Sequence, residues 1–403
     1  MSNNSEAGPG GKAIYWDSFN PEISANPYSL YKRLRDEAPL YYNKEHDFYA
    51  VSRFADVERC LADHQSFSSA RGDIFEIIKA NIDVPPGMFI WEDPPEHTAY
   101  RAVVSRVFTP RRMNDLAGKI RAYCASCLDP LVGTGRIDFI ADLGAKLPGG
   151  VIGMLLGIPE QDRDIVRERV EASLRTEAGQ PMSVDQTSFQ GEGFEEYIDW
   201  RVKNPSSDLM TELLGVEFQD ATGTRRKLTR EEVLIFVNVI AGAGNETTNR
   251  LIGWIGRVLS DYPEQRREIA ANSALIPAAI EEILRLDPPS NQVARYVTRD
   301  VEIHGQTVAA GSVLQCLIAA ANRDERRYTD PDRFDVHREA APHLAFGRGI
   351  HACLGSALAR VEGRIALEEI LKRFPDWTVD LENARMSPSS STRGWDAVPA
   401  FTH

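Results

Sequence analysis

The chain has little of what would make it a disulfide-framed, zinc-bound, nucleic-acid-binding or membrane-spanning protein. Its 403 residues include only 5 cysteines and 8 histidines. An odd handful of cysteines in a long chain builds no disulfide framework. No second Cys/His pair at finger-like spacing exists, so a structural zinc site lacks its ligands. Positive charge is also short: 46 Lys and Arg against 59 Asp and Glu leave a formal net charge of −13, the wrong sign for a phosphate-binding surface. No apolar run reaches the ~18 residues expected of a membrane-spanning helix. No Gly/Ser- or Pro-rich linker divides the interior. The expected organisation is therefore a disordered or extended tail over residues 1–24, then a single domain over 25–403. The tail opens MSNNSEAGPGGK, polar and unlike a leader, which points to the cytoplasm.

What the chain does have is concentrated. The stretch Phe346-Gly347-Arg348-Gly349-Ile350-His351-Ala352-Cys353-Leu354-Gly355 holds three glycines, a histidine and a cysteine. Apolar residues then recur at Leu354, Leu358, Val361 and Ile365, the spacing of one helix face. Cys353 is thus expected at a helix N-terminus, where unpaired N–H groups and the helix dipole favour a thiolate. The glycines let backbone approach the sulfur, and such a thiolate can ligate a soft or borderline metal. Gly347-x-Gly349-x-x-Ala352 also matches a dinucleotide fingerprint nominally, but too little chain remains for the βαβ unit that motif needs. An inert buried cysteine is the third reading. Cys124-x-x-Cys127 lies on the apolar stripe Leu116, Ile120, Cys124, Cys127, Leu131 and reads as core packing.

The strongest helix signal starts at Thr229, which forms a Thr-x-x-Glu capping box with Glu232, and extends over about 230–261 to Pro263. Its first half, Val233 to Ala241, is apolar nearly all round, the pattern of burial on every side. Ala243-Gly244-Asn245-Glu246-Thr247-Thr248 then interrupts it. Glycine, β-branched threonines and an acid are costly inside a buried helix, and a local rule broken at one place marks a functional site. A threonine bonding back to a helix carbonyl is the plainer alternative. Upstream, Asp93-Pro94-Pro95-Glu96-His97-Thr98-Ala99-Tyr100-Arg101 begins a helix with His97 and Arg101 four apart on one face. Glu282 and Arg285, at i and i+3, can pair across one turn. Residues 66–93 lack periodicity, and so long an irregular stretch is usually functional or mobile. A polar segment at 178–191 joins two charge-rich helical stretches.

In chain order, the Asp-Pro-Pro-Glu-His segment, the Gly-x-Glu-Thr-Thr interruption, the Glu-x-x-Arg pair and Phe-Gly-x-Gly-x-His-x-Cys-x-Gly resemble the cytochrome P450 family of haem-thiolate monooxygenases, over roughly residues 25–400. The resemblance implies a mainly α fold with small β subdomains, and haem between the central helix and the Cys353 loop. It implies Cys353 as axial ligand to the iron of haem b, and Phe346 packed near the thiolate. His97, Arg101, Arg295 and His351 would hold the propionates. Thr247 would be the hydroxyl near dioxygen, Glu246 the acid that relays protons, and Gly244 the gap over the haem. Glu282, Arg285 and Arg333 would lock the fold beneath it. Pocket walls would come from Phe89, Ile90, Trp91, Ala243, Gly244, Val293 and Ala294, with Ser391 and Thr392 at the tip of a hairpin over Ser389–Phe401. The segment 178–191 would be a mobile lid.

The implied reaction inserts one atom of dioxygen into a C–H bond of a small apolar or amphipathic molecule. Electrons would come from a separate ferredoxin and its reductase, since no flavin or iron–sulfur segment is visible. The donor would dock where Arg101, Arg106, Arg111, Arg112 and Arg348 concentrate positive charge. Neither nucleic acid nor membrane insertion is expected. A peroxide-driven peroxygenase and a non-catalytic haem-dependent gas- or ligand-binding protein are the alternatives; neither calls for the acid–alcohol pair.

Overall fold

The capping box at Thr229 forms as its sequence predicts. In a computed structural model, which describes residues 13–163, 165, 193–339 and 341–403, the Thr229 hydroxyl accepts from the Glu232 N–H at 3.2 Å, and the Glu232 carboxylate accepts from the Thr229 N–H at 2.7 Å. From that start one helix runs Arg230–Asp261, 32 residues, or ~48 Å at 1.5 Å per residue. Val233 to Val237 are all buried, as an apolar circumference requires. The central helix packs against Leu147–Leu156, the π-helical turn Phe139–Gly144, and the helix Ser356–Arg373 that follows Cys353. A Cβ on Gly256 would come within 2.5 Å of the Phe139 ring, so glycine there sets how closely the elements approach.

Contrary to the expectation from sequence, one segment among the described residues, Phe139–Leu156, is long and apolar enough to cross a membrane, with a mean hydropathy of 1.4. It is 67% buried inside the protein and lies against the central helix, so its apolarity belongs to the core.

The β structure is small and peripheral. Five strands form one sheet in the order Leu40–Asn43, Phe48–Val51, Val313–Cys316, Val293–Val297, Phe67–Ser68. Val293–Val297 lies between Val313–Cys316 and Phe67–Ser68; alternate side chains point to opposite faces, so Val293 and Arg295 face one way and Ala294 the other. The expected hairpin over Ser389–Phe401 is differently built. Arg385–Met386 pairs with Trp395–Ala397, while Pro399–Thr402 joins Trp377–Val379 and Arg136–Asp138. Ser391 and Thr392 therefore lie in the connection over 387–394.

Two further expectations change. The tail expected over 1–24 is shorter, because Trp16 and Phe19 are buried, Trp16 packs 5.2 Å from the Tyr31 ring, and Asn20 caps a helix over Pro21–Ala25. Residues 1–12 and the 178–191 segment read as a lid lie outside the described residues. In the Glu282 network, Arg285 binds Glu282 with two hydrogen bonds of 2.7 and 2.8 Å and donates to the carbonyls of Asn322 and Pro331. Its third member is Arg338, whose Nε donates to Glu282 at 2.8 Å. Arg333 is exposed and contributes only its carbonyl oxygen. The buried aromatic Phe334 next to it turns the neighbouring side chain outward.

Candidate active site

The central helix and the Cys353 loop enclose a cavity of about 290 Å³. On its lower wall the Cys353 N–H donates to Phe346 O at 2.8 Å, closing the loop. Gly347 and Gly349 hold φ of +67° and +70°, where only glycine is unstrained. A Cβ on Gly349 would also meet Leu61 O at 2.8 Å. These glycines shape the loop against its neighbours; the N–H groups that reach the sulfur are those of Gly355 and Ser356.

Of the described cysteines, only Cys353 lines the cavity. Its solvent accessibility is high although protein surrounds it, because its open face is the cavity itself. Burial raises its thiol pKa, and the Gly355 N–H, Arg101, Arg360 and the Ser356 N–H oppose this only in part. The expected preference for thiolate is therefore reversed for the free side chain. A cation at the sulfur would restore it, which a thiolate-bound iron supplies.

Beside the cysteine, two imidazoles and two guanidiniums converge. The His97 and His351 rings are 4.4 Å apart, and both nitrogens of His97 and Nε2 of His351 are buried without a partner. Burial, aided by Arg101, lowers the His97 pKa to about 4; burial, aided by Arg295, lowers that of His351 to about 3. Arg101 and Arg295 line the cavity and donate to the carbonyls of Ala352 and Ala294. Among the described residues no carboxylate forms an ion pair with either. Donors with no acceptor fit a ligand carrying two carboxylates, as haem does. Phe346 also lines the cavity, with the Arg360 guanidinium 4.4 Å over its ring.

The upper wall carries Ala243, Gly244, Thr247 and Thr248. The missing Cβ of Gly244 points at Ile152, which it would meet at 2.7 Å, so this glycine admits a neighbouring helix as well as bordering the cavity. Thr247 faces the cavity, yet its hydroxyl donates to Ala243 O at 2.8 Å, the plainer arrangement its sequence allowed. Glu246 is turned aside: it accepts from Thr392 Oγ1 at 2.6 Å and lies 3.5 Å from Arg250 Nη2. The acid and the alcohol are adjacent on the helix but do not meet in the cavity.

Phe89, Ile90 and Val293 line the cavity as expected. Trp91 does not, because its indole N–H donates to Asp73 at 2.7 Å and its ring is buried. Ala294 sits on the opposite face of its strand. Thr392 is engaged by Glu246, and Ser391 contacts Ser389; neither lines the cavity. Sequence reasoning missed Ile152, Ser290, Asp73 and Glu362 on the lining. Asp73 had one signal, an acid beside apolar Ile74-Phe75 within the aperiodic stretch.

A single cysteine opening onto a cavity, facing a glycine–threonine break in a long buried helix and flanked by donors for two carboxylates, defines a haem-thiolate protein. A family model described as cytochrome P450 matches residues 183–393. Along 97% of its length the chain is 34% identical to 97% of the putative cytochrome P450 123 of Mycobacterium tuberculosis. It is 34% identical to the cyclomarin C epoxidase CymV of Salinispora arenicola, over 86% of this chain and 89% of that one. The structure of cytochrome P450 CYP109Q5 from Chondromyces apiculatus superposes with a TM-score of 0.85 at 34% identity, covering 96% of this chain and 98% of that one. The chain belongs to the cytochrome P450 family of haem-thiolate monooxygenases, and its cofactor is haem with cysteine-ligated iron.

Proposed function

We propose that the chain inserts one atom of dioxygen into a C–H bond of a small apolar or amphipathic molecule. The observation that carries this reading is Thr247, open to the same cavity as Cys353 from the opposite wall. When bound, the haem supplies dioxygen activation at an iron whose thiolate ligand favours O–O cleavage, as it does throughout this family. The remaining roles fall to the chain itself. His97, Arg101, Arg295 and His351 hold the propionates, and Phe346 packs beside the sulfur of Cys353. Phe89, Ile90, Ala243, Gly244 and Val293 exclude water and seat the substrate.

Protons reach the cavity through Glu246 and Thr247 Oγ1. Arg250 bridges Glu246 to Asp396, 2.9 Å from its Nη1 and 45% exposed, giving Glu246 a polar route to the surface. Delivery requires the Glu246 carboxyl to leave Thr392 and turn toward Thr247.

Electrons come from a separate ferredoxin-type donor and its reductase. Of the expected docking arginines, Arg106 and Arg111 are exposed. Arg112 pairs with Glu212, Arg348 with Glu58, and Arg101 turns into the cavity. The docking charge therefore rests on Arg106 and Arg111, and reversing both to glutamate slows reduction at low salt. Residues 25–403, joined by the buried Trp16 and Phe19 ahead of them, act as one haem domain whose main core draws on residues from Phe89 to Ala400; it works in the cytoplasm and without nucleic acid.

The reduced, CO-treated protein is the test. A strongly red-shifted Soret band is expected; a band typical of histidine ligation, or no haem at all, sinks the reading. If the band is present but labelled dioxygen gives no labelled product in the presence of an electron donor, the protein binds haem without acting as an oxygenase.

A further inference from the structure

We propose that Asp73 recognises substrate: its carboxylate pairs with a basic nitrogen, cationic at neutral pH, on an otherwise apolar molecule. This deepens the haem-thiolate reading and rests on it.

Asp73 lines the cavity together with Phe89, Ile90 and Val293. Its Oδ1 accepts from Trp91 Nε1 at 2.7 Å, and its backbone carbonyl accepts from the Ala294 N–H at 2.6 Å. The first bond ties it to the turn Phe89–Trp91, whose Phe89 ring packs 5.0 Å from Phe236 of the central helix. The second fixes it beside Val293, which borders the cavity. Neither anchor lines the cavity itself, but each adjoins a residue that does, Ile90 and Val293. One carboxylate oxygen is thereby immobilised, and among the described residues no side chain other than Trp91 hydrogen-bonds the carboxylate. The side chain is enclosed by protein yet partly accessible, because what it opens onto is the cavity it lines.

Asp73 feels the charge of Arg295 but forms no contact ion pair among the described residues. The cavity lining holds two carboxyl groups, Asp73 and Glu362. Glu362 is 1% exposed with Oε2 unpartnered, and burial drives its pKa well upward, which favours the uncharged acid. Arg101 and Arg295 are matched by the two propionates. Among the described residues no Lys, Arg or His nitrogen lies within 4 Å of Asp73. Burial also raises its pKa, with Arg295 and the Trp91 N–H opposing. A cation entering the cavity would hold the carboxylate ionised, and that differential is binding energy. The rest of the nearby wall, Phe89, Ile90, Ile152, Val239, Ile240 and Val293, offers only apolar contact. The complementary ligand is an apolar body with one positive nitrogen.

The test compares probes of equal chain length on the haem-loaded protein, below their micelle concentrations: dodecyltrimethylammonium, dodecan-1-ol and dodecanoate. The ammonium probe has no lone pair and cannot ligate iron, so its low-spin to high-spin shift reports seating alone. It is expected to bind on the order of tenfold more tightly than either other probe, the worth of one partly desolvated coulombic contact without a hydrogen bond. Asp73→Asn should abolish that preference. Trp91→Phe, which frees Oδ1 and keeps the charge, should preserve it.

No shift with the ammonium probe, equal affinities, or a preference surviving in Asp73→Asn overturns the proposal. So does equal loss in both variants, which would make local packing the cause. Faster haem loss in Asp73→Asn with an unchanged probe ratio overturns it as well, because the carboxylate would then serve Arg295. The reduced CO band is recorded first. Its absence removes both this inference and the haem-thiolate reading, whereas its presence without a cation preference removes this inference alone.

Discussion

The clusters around Glu282 and around His351 are both buried and both rich in charge, but they are completed in opposite ways. Glu282 accepts two hydrogen bonds from Arg285, one from Arg338 and one from the Asp335 N–H. The guanidinium of Arg285 is in turn spent on Glu282 and three backbone carbonyls. Donors and acceptors match, and nothing is left for a ligand. Around His351 no carboxylate answers among the described residues: two guanidiniums and two imidazoles converge, and three of the ring nitrogens have no partner. Buried polar groups are costly when unpaired. A closed cluster therefore reads as fold, and a carboxylate-free one as half of a site whose other half is a bound carboxylate pair.

Breaking the closed cluster should produce the largest effect. Glu282→Ala leaves Arg285 buried without its counter-ion, a change that typically costs about 3–5 kcal/mol. Denaturant midpoints with and without haem should fall together. A stability loss seen only in the haem-loaded protein would contradict the contrast.

The open cluster should respond with the opposite dependence on haem. In His351→Phe the unpaired Nε2 is replaced by carbon, so the haem-free protein is expected to be unchanged or slightly more stable. With haem bound, loss of a hydrogen bond to a charged acceptor should weaken cofactor retention by ~1.5–3 kcal/mol, read as faster transfer to a haem scavenger. A haem-free protein destabilised as much as the loaded one would mean that His351 is a structural residue.

The pH dependence sharpens the same point at His97. Its folded pKa of about 4 lies below the unfolded value near 6.5, so the unfolded chain takes up the proton more readily between them. His97's contribution to stability is complete above pH ~6.5 and is lost as pH falls toward 4, with a slope approaching about 1.4 kcal/mol per pH unit. His97→Phe should remove that part of the slope in the haem-free protein. Haem should flatten it too, since a propionate acceptor stabilises the protonated ring. Urea midpoints at pH 7, 6, 5 and 4.5 measure both; a slope that is the same in all three proteins would exclude His97 as its source.

Much of this contrast was legible in the sequence, and what escaped follows a pattern. The capping box, the apolar circumference of the central helix and the Cys353 loop are local signals, carried by residues within one or two turns of each other. Cys353, Thr247, Arg101 and Arg295 duly meet at one cavity. What local spacing could not carry was the direction of side chains held by distant partners. Thr392 looked like a pocket wall but is bound to Glu246, 146 positions away. Trp91 looked like another but is turned by Asp73. The charge state of Cys353 also depended on desolvation, which no local motif reports.

The smallest expected effect concerns the residue that spacing misassigned. Arg333 and Arg338 are five positions apart near the Glu282 network, and only the side chain of Arg338 enters it. Arg338 Nε reaches the carboxylate at 2.8 Å and its Nη atoms donate to the carbonyls of Thr329, Asp330 and Arg333. Removing it leaves Glu282 still paired with Arg285, so Arg338→Ala should cost only ~1–2 kcal/mol, less than losing a sole counter-ion. Arg333→Ala removes an exposed side chain and keeps the carbonyl that the network uses, so its midpoint should stay at the wild-type value. The double variant should match Arg338→Ala alone, because independent sites add and Arg333 has nothing to add. If Arg333→Ala were the more damaging of the two, the guanidinium completing the closed cluster would be the other one, and the direction of both side chains would have to be reassigned.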